Sequence, residues 1–317
     1  PWNNCVSRIT ETAITFSNEL GMPETPEQTW TIKQLLDWTA DFFSKSTIGN
    51  ARLEAEVLLA EALDCQRIEL YTRFDEQPPA KQLTKFRAWV KRRAAGEPVA
   101  YLAGYREFYS LRFDVDSNVL IPRPETEHLV VAALEFTKNF NNAPIRIIDI
   151  GTGSGCIAVT LATLIENCKI AATDISETAL EIAKLNAAQH EVNSKVHFFA
   201  GDLLDALPQG SNSVHLIVSN PPYIGRLEIS TVDDQVRNHE PEIALFSGDH
   251  GTDIIERLIN DASDFLLPDG ALMFETSPII MDRCVALVRS HQAYSDVRVI
   301  KDYDGHDRLV VATRNAK

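Results

Sequence analysis

The chain has 317 residues, enough for two domains at about 100–200 residues each. Its 44% apolar and 24% charged residues form an ordinary globular mixture that can bury a core, which excludes wholesale disorder. With 45 acidic against 30 basic residues the net charge is −15, a poor basis for gripping bare nucleic acid through its phosphates.

The five cysteines, Cys5, Cys65, Cys156, Cys168 and Cys284, are scattered and form no CxxC pair. That argues against a disulfide framework or a zinc site and for a reducing, cytoplasmic setting. No metal-ligand spacing is visible. No apolar run reaches the length of a membrane span. The first thirty residues carry Arg8, Glu11, Glu19, Glu24 and Glu27 without an apolar block, so no signal peptide is expected. Pro1 is expected to stand where an initiator methionine was removed or trimmed.

Residues 1–28 are weakly patterned and read as an extension. Helical spacing begins after Thr31, an N-cap residue, with Ile32, Leu35, Leu36, Trp38, Phe42 and Phe43 on one face. A second helix follows Asn50, with Leu53, Val57, Leu58 and Leu63 inward. A third opens at Pro78 and Pro79, carries Leu83, Phe86, Val90 and Ala94, and ends on Gly96. This is a small all-α domain over 29–98. Residues 99–122 alternate apolar and polar from Phe108 to Ile121, with turn formers at Asp116, Ser117 and Asn118, and predict a β-hairpin linker.

From 145 onward short apolar runs alternate with amphipathic segments, which predicts a parallel sheet covered on both faces. Strands are expected at 145–150, 169–173, 196–200, 214–219, 271–275, 297–301 and 308–313. Helices are expected at 155–165, 177–191, 252–267 and 279–291. The last two strands flank Asp304 and Gly305 as a hairpin, which makes one of them antiparallel. The catalytic domain is expected over 123–317.

Two motifs carry chemistry. Asp149-Ile-Gly-Thr-Gly-Ser-Gly155 follows a strand and opens a helix. Its glycines permit a tight turn and close ligand approach, but the spacing is not the GxGxxG of dinucleotide binders. An acid before the first glycine repels a diphosphate and suits a cationic ligand, which favours S-adenosylmethionine. Asp174, ending the next strand, is placed to accept from ribose hydroxyls. Asp202, ending the third, is placed to face an adenine amino group, with a solvated loop acid as the other reading.

The second motif is Asn220-Pro-Pro-Tyr223, directly after the strand 214–219. Two prolines remove two backbone donors and leave acceptors, the Asn220 side-chain oxygen and the Pro221 carbonyl, beside the Tyr223 ring. Such a set suits an NH2 group on an sp² carbon, whose lone pair is delocalised. Holding both N–H bonds aims the nitrogen at a methyl carbon without a strong base. Asn220, Pro221 and Tyr223 are therefore the candidate catalytic residues.

These two motifs together resemble the class I methyltransferases that act on exocyclic or amide nitrogens. Further segments resemble the protein-(glutamine-N5) methyltransferases of peptide chain release factors: Arg52-Leu-Glu-Ala-Glu-Val-Leu-Leu, Gly96-Glu-Pro-Val-Ala-Tyr-Leu-Ala-Gly, Glu107-Phe108, Val119-Leu-Ile-Pro-Arg-Pro-Glu-Thr-Glu127, Glu240-Pro241, Ala244-Leu245 and Gly248-Asp-His-Gly251. The resemblance spans about residues 31–313. It implies a Rossmann-like, mostly parallel seven-stranded sheet with one antiparallel strand, after a small helical domain and a hairpin that joins the domains beside the active site. The implied donor is S-adenosylmethionine, leaving S-adenosylhomocysteine, and the implied substrate is the glutamine of the Gly-Gly-Gln loop of release factors, which the helical domain helps to hold. Carried over, Gly151, Thr152, Gly153, Ser154, Gly155, Asp174, Asp202, Leu203 and Asn220 contact the cofactor. Asn220, Pro221, Pro222 and Tyr223 hold the glutamine, while Phe108, Arg123 and Glu125 line or brace the site.

One departure is visible. The family usually continues Glu-x-Gly-x-x-Gln after the fifth strand, whereas Glu275-Thr-Ser-Pro-Ile-Ile has Ser277 and Ile280 in those places. Contacts from this loop are therefore not carried over. Three rivals remain. The sister enzyme of a large-subunit ribosomal protein reads Pro-Arg-Ser-Pro where this chain has Arg123-Pro-Glu-Thr-Glu127. A nucleobase amino-N methyltransferase is opposed by the −15 charge and the lack of a basic, aromatic recognition domain. A non-enzymatic adapter is opposed by the intact motifs. His215 is expected to be packed, His239 solvent-exposed in a polar loop, and Arg237 paired with Glu240. A monomer that contacts neither nucleic acid nor membrane is expected.

Overall fold

The computed structural model describes residues 30–46, 48–140, 143–208, 210, 211 and 213–316. The 1–28 extension and Cys5 lie outside the described residues. The chain divides into two compact units between Ala94 and Ala95.

The first unit holds α1 (Ile32–Lys45), α2 (Ala51–Leu63), α3 (Arg67–Thr72) and α4 (Ala80–Ala94). Thr31 caps α1 as expected: its hydroxyl accepts from the Gln34 amide while the Gln34 side chain accepts from the Thr31 amide. Ile32, Leu35, Leu36 and Phe43 are buried. On α2 Leu58 and Leu63 are buried as expected and Val57 is half-buried, but Leu53 is 42% exposed, and Ala55, Leu59 and Ala62 complete the inward face. Glu56 is buried beside them and takes bonds from Arg52 Nε (2.8 Å), Arg67 Nη2 (3.3 Å) and the Tyr71 hydroxyl. A buried carboxylate persists only with such partners, and they explain the short α3, which has no apolar periodicity of its own.

The second unit opens with α5 (Val99–Ala103) and a hairpin of β1 (Tyr105–Phe108) and β2 (Leu111–Asp114). The hairpin turns at Tyr109 and Ser110, both with positive φ (52° and 60°), and not at 116–118. Tyr-Ser is not the usual pair for such a turn. The Tyr109 amide donates to Glu127 Oε1 at 2.8 Å and so ties the turn down from outside the hairpin. Asp116–Asn118 is a separate turn, closed by the Asn118 amide on Asp116 Oδ1 (2.8 Å).

The remaining elements are α6 (Glu127–Thr137), β3 (Ile145–Ile150), α7 (Cys156–Leu164), β4 (Cys168–Asp174), α8 (Glu177–Gln189), β5 (Val196–Ala200), β6 (Val214–Ser219), α9 (Asp234–His239), α10 (Asp253–Phe265), β7 (Leu266–Glu275), α11 (Met281–Ser290), β8 (Tyr294–Lys301) and β9 (Asp307–Arg314). Seven strands form one sheet in the order β5-β4-β3-β6-β7-β9-β8. β9 alone runs against the direction of the other six strands. β7 begins earlier than expected, but Pro268–Gly270 loop out of register, so its regular part is Ala271–Glu275.

On β3, Ile147 faces a core shared with α6, α7 and the hairpin phenylalanines Phe108 and Phe113. Ile148 and Ile150 enter the opposite core, packed by α10 and α11. Past exposed Arg146 the strand is thus buried on both faces, as its isoleucine-rich run predicts. Ile280, where the resemblance led to a glutamine, is buried in the second core. Among the described residues no helix is long and apolar enough to cross a membrane.

Asn186 on α8 ties three parts of this unit together. Its Oδ1 accepts from the Asp114 amide (2.7 Å), and its Nδ2 donates to the carbonyls of Asp114 (3.0 Å) and Ser154 (2.8 Å). The side chain is fully buried. Asn186→Ala leaves those backbone groups unpaired and is expected to cost about 3 kcal/mol of stability, read by denaturant unfolding.

Candidate active site

The strands β3, β4 and β5 step outward in one direction, and β6 then returns to the other flank of β3. Ligands of open α/β sheets bind beyond the strand ends at such a reversal. Ile150 pairs with Ser219 at the ends of β3 and β6, and Ser219 Oγ donates to the Ile150 carbonyl at 2.8 Å. The glycine turn and Asn220 therefore leave the sheet side by side.

A cavity opens there, lined by Gly151, Gly153, Thr173, Asp174, Leu203 and Asn220 among others. A Cβ placed on Gly151 or Gly153 would meet nothing within 4 Å, so the space over the turn is open to a ligand. Thr173 Oγ1 is buried at the cavity wall without a partner. Asp174 accepts from the Gly153 amide through Oδ2 (2.8 Å) and from the Ser176 amide through Oδ1 (2.9 Å). Burial raises its carboxyl above the ordinary value. Exposed Ile175 and half-buried Leu203 add apolar wall. An open cradle, a free hydroxyl and an acid beside apolar surface fit a nucleoside-bearing donor such as S-adenosylmethionine.

Asp149 does not border this cavity. It is fully buried, and its Oδ2 accepts from Thr152 Oγ1 (2.6 Å) and the Ala158 amide (3.2 Å). It braces the turn from behind, and desolvation pushes it up to about 7. Asp202 borders the cavity but is half exposed, and its Oδ2 accepts from Arg257 Nη2 at 2.7 Å.

Asn220 and Pro222 line the cavity, whereas Pro221 is buried beneath them. Asn220 Nδ2 donates to Thr126 Oγ1 at 3.0 Å, and Thr126 Oγ1 donates to Glu275 Oε2 at 2.6 Å. The Tyr223 ring packs into the second core and its hydroxyl donates to Glu275 Oε1 at 3.3 Å. The hydroxyl is thus turned inward to a protein partner, and burial first, then the Glu275 charge, raises the phenol well above its ordinary value. Glu275, at the end of β7, is fully buried and pushed up to about 6 by desolvation.

The other expected contacts fall differently. Arg123 lines the cavity and donates through Nη2 to Glu240 Oε1 at 2.6 Å, so Glu240 pairs with Arg123 and not with Arg237, which pairs with Asp234. Phe108 is 1% exposed and packs edge-on against Phe113, inside the core and away from the cavity. Glu125 does not line the cavity, and its carbonyl is engaged by His128 Nδ1 at 3.0 Å. His239 lies on α9, half-buried, and not in a loop. His215 is half-buried, with its ring edge-on to Phe140. Thr126 is the site residue that sequence reasoning misses, although it lies inside the Arg123–Glu127 segment. A buried threonine aimed inward from a 3-10 turn has no spacing signature.

The sheet order, the open glycine turn after β3 and the acceptor turn after β6 define a class I methyltransferase. The catalytic domain of hMettl16, solved in complex with a MAT2A 3′UTR hairpin, has the same fold at 17% identity and a TM-score of 0.53, over 72% of this chain and 82% of that one. Residues 34–104 match the PrmC N-terminal domain family and residues 128–236 the methyltransferase small domain family. The release factor glutamine methyltransferase of Rhodopirellula baltica is 46% identical over 292 residues, covering 91% of this chain and 98% of that protein. That of Koribacter versatilis is 39% identical over 284 residues, covering 90% and 99%. The chain belongs to the release factor glutamine methyltransferase family, and S-adenosylmethionine is its methyl donor.

Gly155 opens α7 at φ 81°, where an added Cβ would sit 3.1 Å from Ala183 Cβ. Gly155→Ala is expected to cost on the order of 1–2 kcal/mol in the turn and to weaken donor binding, read by thermal melting and calorimetry.

Proposed function

We propose that the chain transfers the methyl group of S-adenosylmethionine to the side-chain nitrogen N5 of the glutamine in the Gly-Gly-Gln loop of peptide chain release factors. The observation that carries this reading is the Asn220 amide, tied down through Nδ2 at the cavity wall with its Oδ1 left as an acceptor. When bound, the donor supplies a methyl carbon made electrophilic by its sulfonium.

The turn Gly151–Gly155, with Thr173, Asp174, Asp202 and Leu203, holds the donor. Asn220 Oδ1 accepts one N–H of the incoming carboxamide, and the backbone carbonyl of Pro221, a residue otherwise buried beneath the wall, accepts the other. Pro222 and Arg123 shape the entry. Holding both hydrogens orients a weakly nucleophilic nitrogen, so alignment takes the place of a strong base. The helical first unit contributes release factor recognition. The protein acts as a monomer in the cytoplasm and needs no nucleic acid.

Incubation with labelled S-adenosylmethionine and a purified release factor is expected to label the factor, and a Gly-Gly-Gln to Gly-Gly-Ala factor is expected to stay unlabelled. Label that survives this change, or appears on a nucleobase, rejects the substrate. Asn220→Ala is expected to lower kcat on the order of 100-fold while donor affinity stays within a few fold. Near-wild-type turnover in that variant rejects the role of Asn220.

A further inference from the structure

We propose that Glu275 is the positioning residue of the acceptor site, fixing the Asn220 carboxamide through Thr126 and the Tyr223 ring through its hydroxyl. The inference rests on the methyl-transfer reading above and adds a residue to it. Thr126 has a single hydroxyl proton, and it is given to Glu275 Oε2 at 2.6 Å. An ionised carboxylate has no proton to return. The Thr126 oxygen can therefore only accept from Asn220, and the amide must present Nδ2 to it, as it does at 3.0 Å. That leaves Oδ1 as the group offered to a ligand. An amide held the other way would turn its own hydrogens toward the carboxamide N–H and could not accept from it. The opposite oxygen of Glu275 accepts from Tyr223, so one buried carboxylate holds both ends of the Asn220–Tyr223 turn.

The lock depends on charge. A protonated Glu275 can donate to Thr126, whose own proton then turns to Asn220 and stabilises the reversed amide. The groups that govern this protonation come from several elements. Burial opposes ionisation most strongly, Arg308 on β9 favours it and Glu125 ahead of α6 opposes it. Tyr223 bonds to the carboxylate, and Cys156 at the start of α7 feels its charge. The balance puts the carboxyl at about 6, inside the range where activity can be measured.

The test compares the full chain with Glu275→Gln, Thr126→Val, Thr126→Ser and the double variant Glu275→Gln/Thr126→Val. Release factor methylation is followed from pH 5 to 8, donor affinity by calorimetry, and the Asn220 side-chain amide by 15N NMR. In the wild type, kcat is expected to fall as pH drops through about 6, and the amide signals to shift over the same range. Glu275→Gln and Thr126→Val are each expected to lower kcat about tenfold or more with little change in donor affinity, and to lose the pH-dependent amide shift. The double variant is expected to be no worse than Glu275→Gln alone, because that change already cuts the link through Thr126. Thr126→Ser, which keeps the hydroxyl, is expected to recover most of the loss. Wild-type kcat in Glu275→Gln, or an amide titration unchanged in it, overturns the proposal. The NMR readout needs no substrate, which separates the two failures. A wild-type chain that leaves release factor unlabelled but shows the Glu275-dependent amide shift rejects the substrate and keeps the positioning role. An amide that does not titrate in the wild type rejects the positioning role, whatever is labelled.

Discussion

The pairing of β3 with β6 is the constraint on which the site depends. Because Ile150 and Ser219 are partners at the strand ends, the residues that follow them leave the sheet as neighbours. The two segments lie far apart in sequence, yet no loop has to be steered to bring them together. Strand register does it, and register is fixed by the burial of β3 on both faces, where a slip of one residue would move Asp149 and every isoleucine to the wrong side.

The two turns solve opposite problems. The turn after β3 needs bare backbone close to a ligand, so it is made of glycines with positive φ. The turn after β6 needs acceptors without competing donors, so it is made of prolines behind an asparagine. Each is stiffened from behind by a buried acid: Asp149 holds Thr152 and the start of α7, while Glu275 holds Thr126 and Tyr223. These two acids face the turns and not the cavity, whose own charged groups are Asp174, Asp202 and Arg123.

How much of this is legible in the sequence depends on the range of each interaction. The sheet is readable because β3 and β6 are dominated by isoleucine, leucine and valine, and the glycine and proline turns because those residues act through their own backbone. The hairpin turn falls away from its expected place because Tyr109 and Ser110 carry no local signal and depend on Glu127, far along the chain. Glu240 escapes its expected partner for the same reason: closeness along the chain suggests Arg237, and the fold supplies Arg123. The motif around Phe108 places it at the site, but alternation on β1 turns it into the core. Thr126 and Glu275 can be matched to each other only once β7 is known to lie beside β6.

The bracing acids weigh against the fold they serve. Burial raises Asp149 to about 7 and Glu275 to about 6. A carboxyl raised in the folded state contributes stability that is complete below its unfolded value and is lost as pH climbs through the folded one. At neutral pH, where Glu275 is ionised and Asp149 about half so, the two acids therefore cost stability, on the order of 2 kcal/mol for Glu275 and 4 for Asp149. An apolar residue at either position would remove that cost, but it could accept no hydrogen bond, and the turn in front of it would lose its fixed orientation. Acidification thus pulls on Glu275 in two directions, adding stability through the same protonation that frees the Asn220 amide. A brace whose only task was to hold the fold together would not be built from a group that resists being buried charged, so the carboxylates at the ends of β3 and β7 are best understood through the turns they hold.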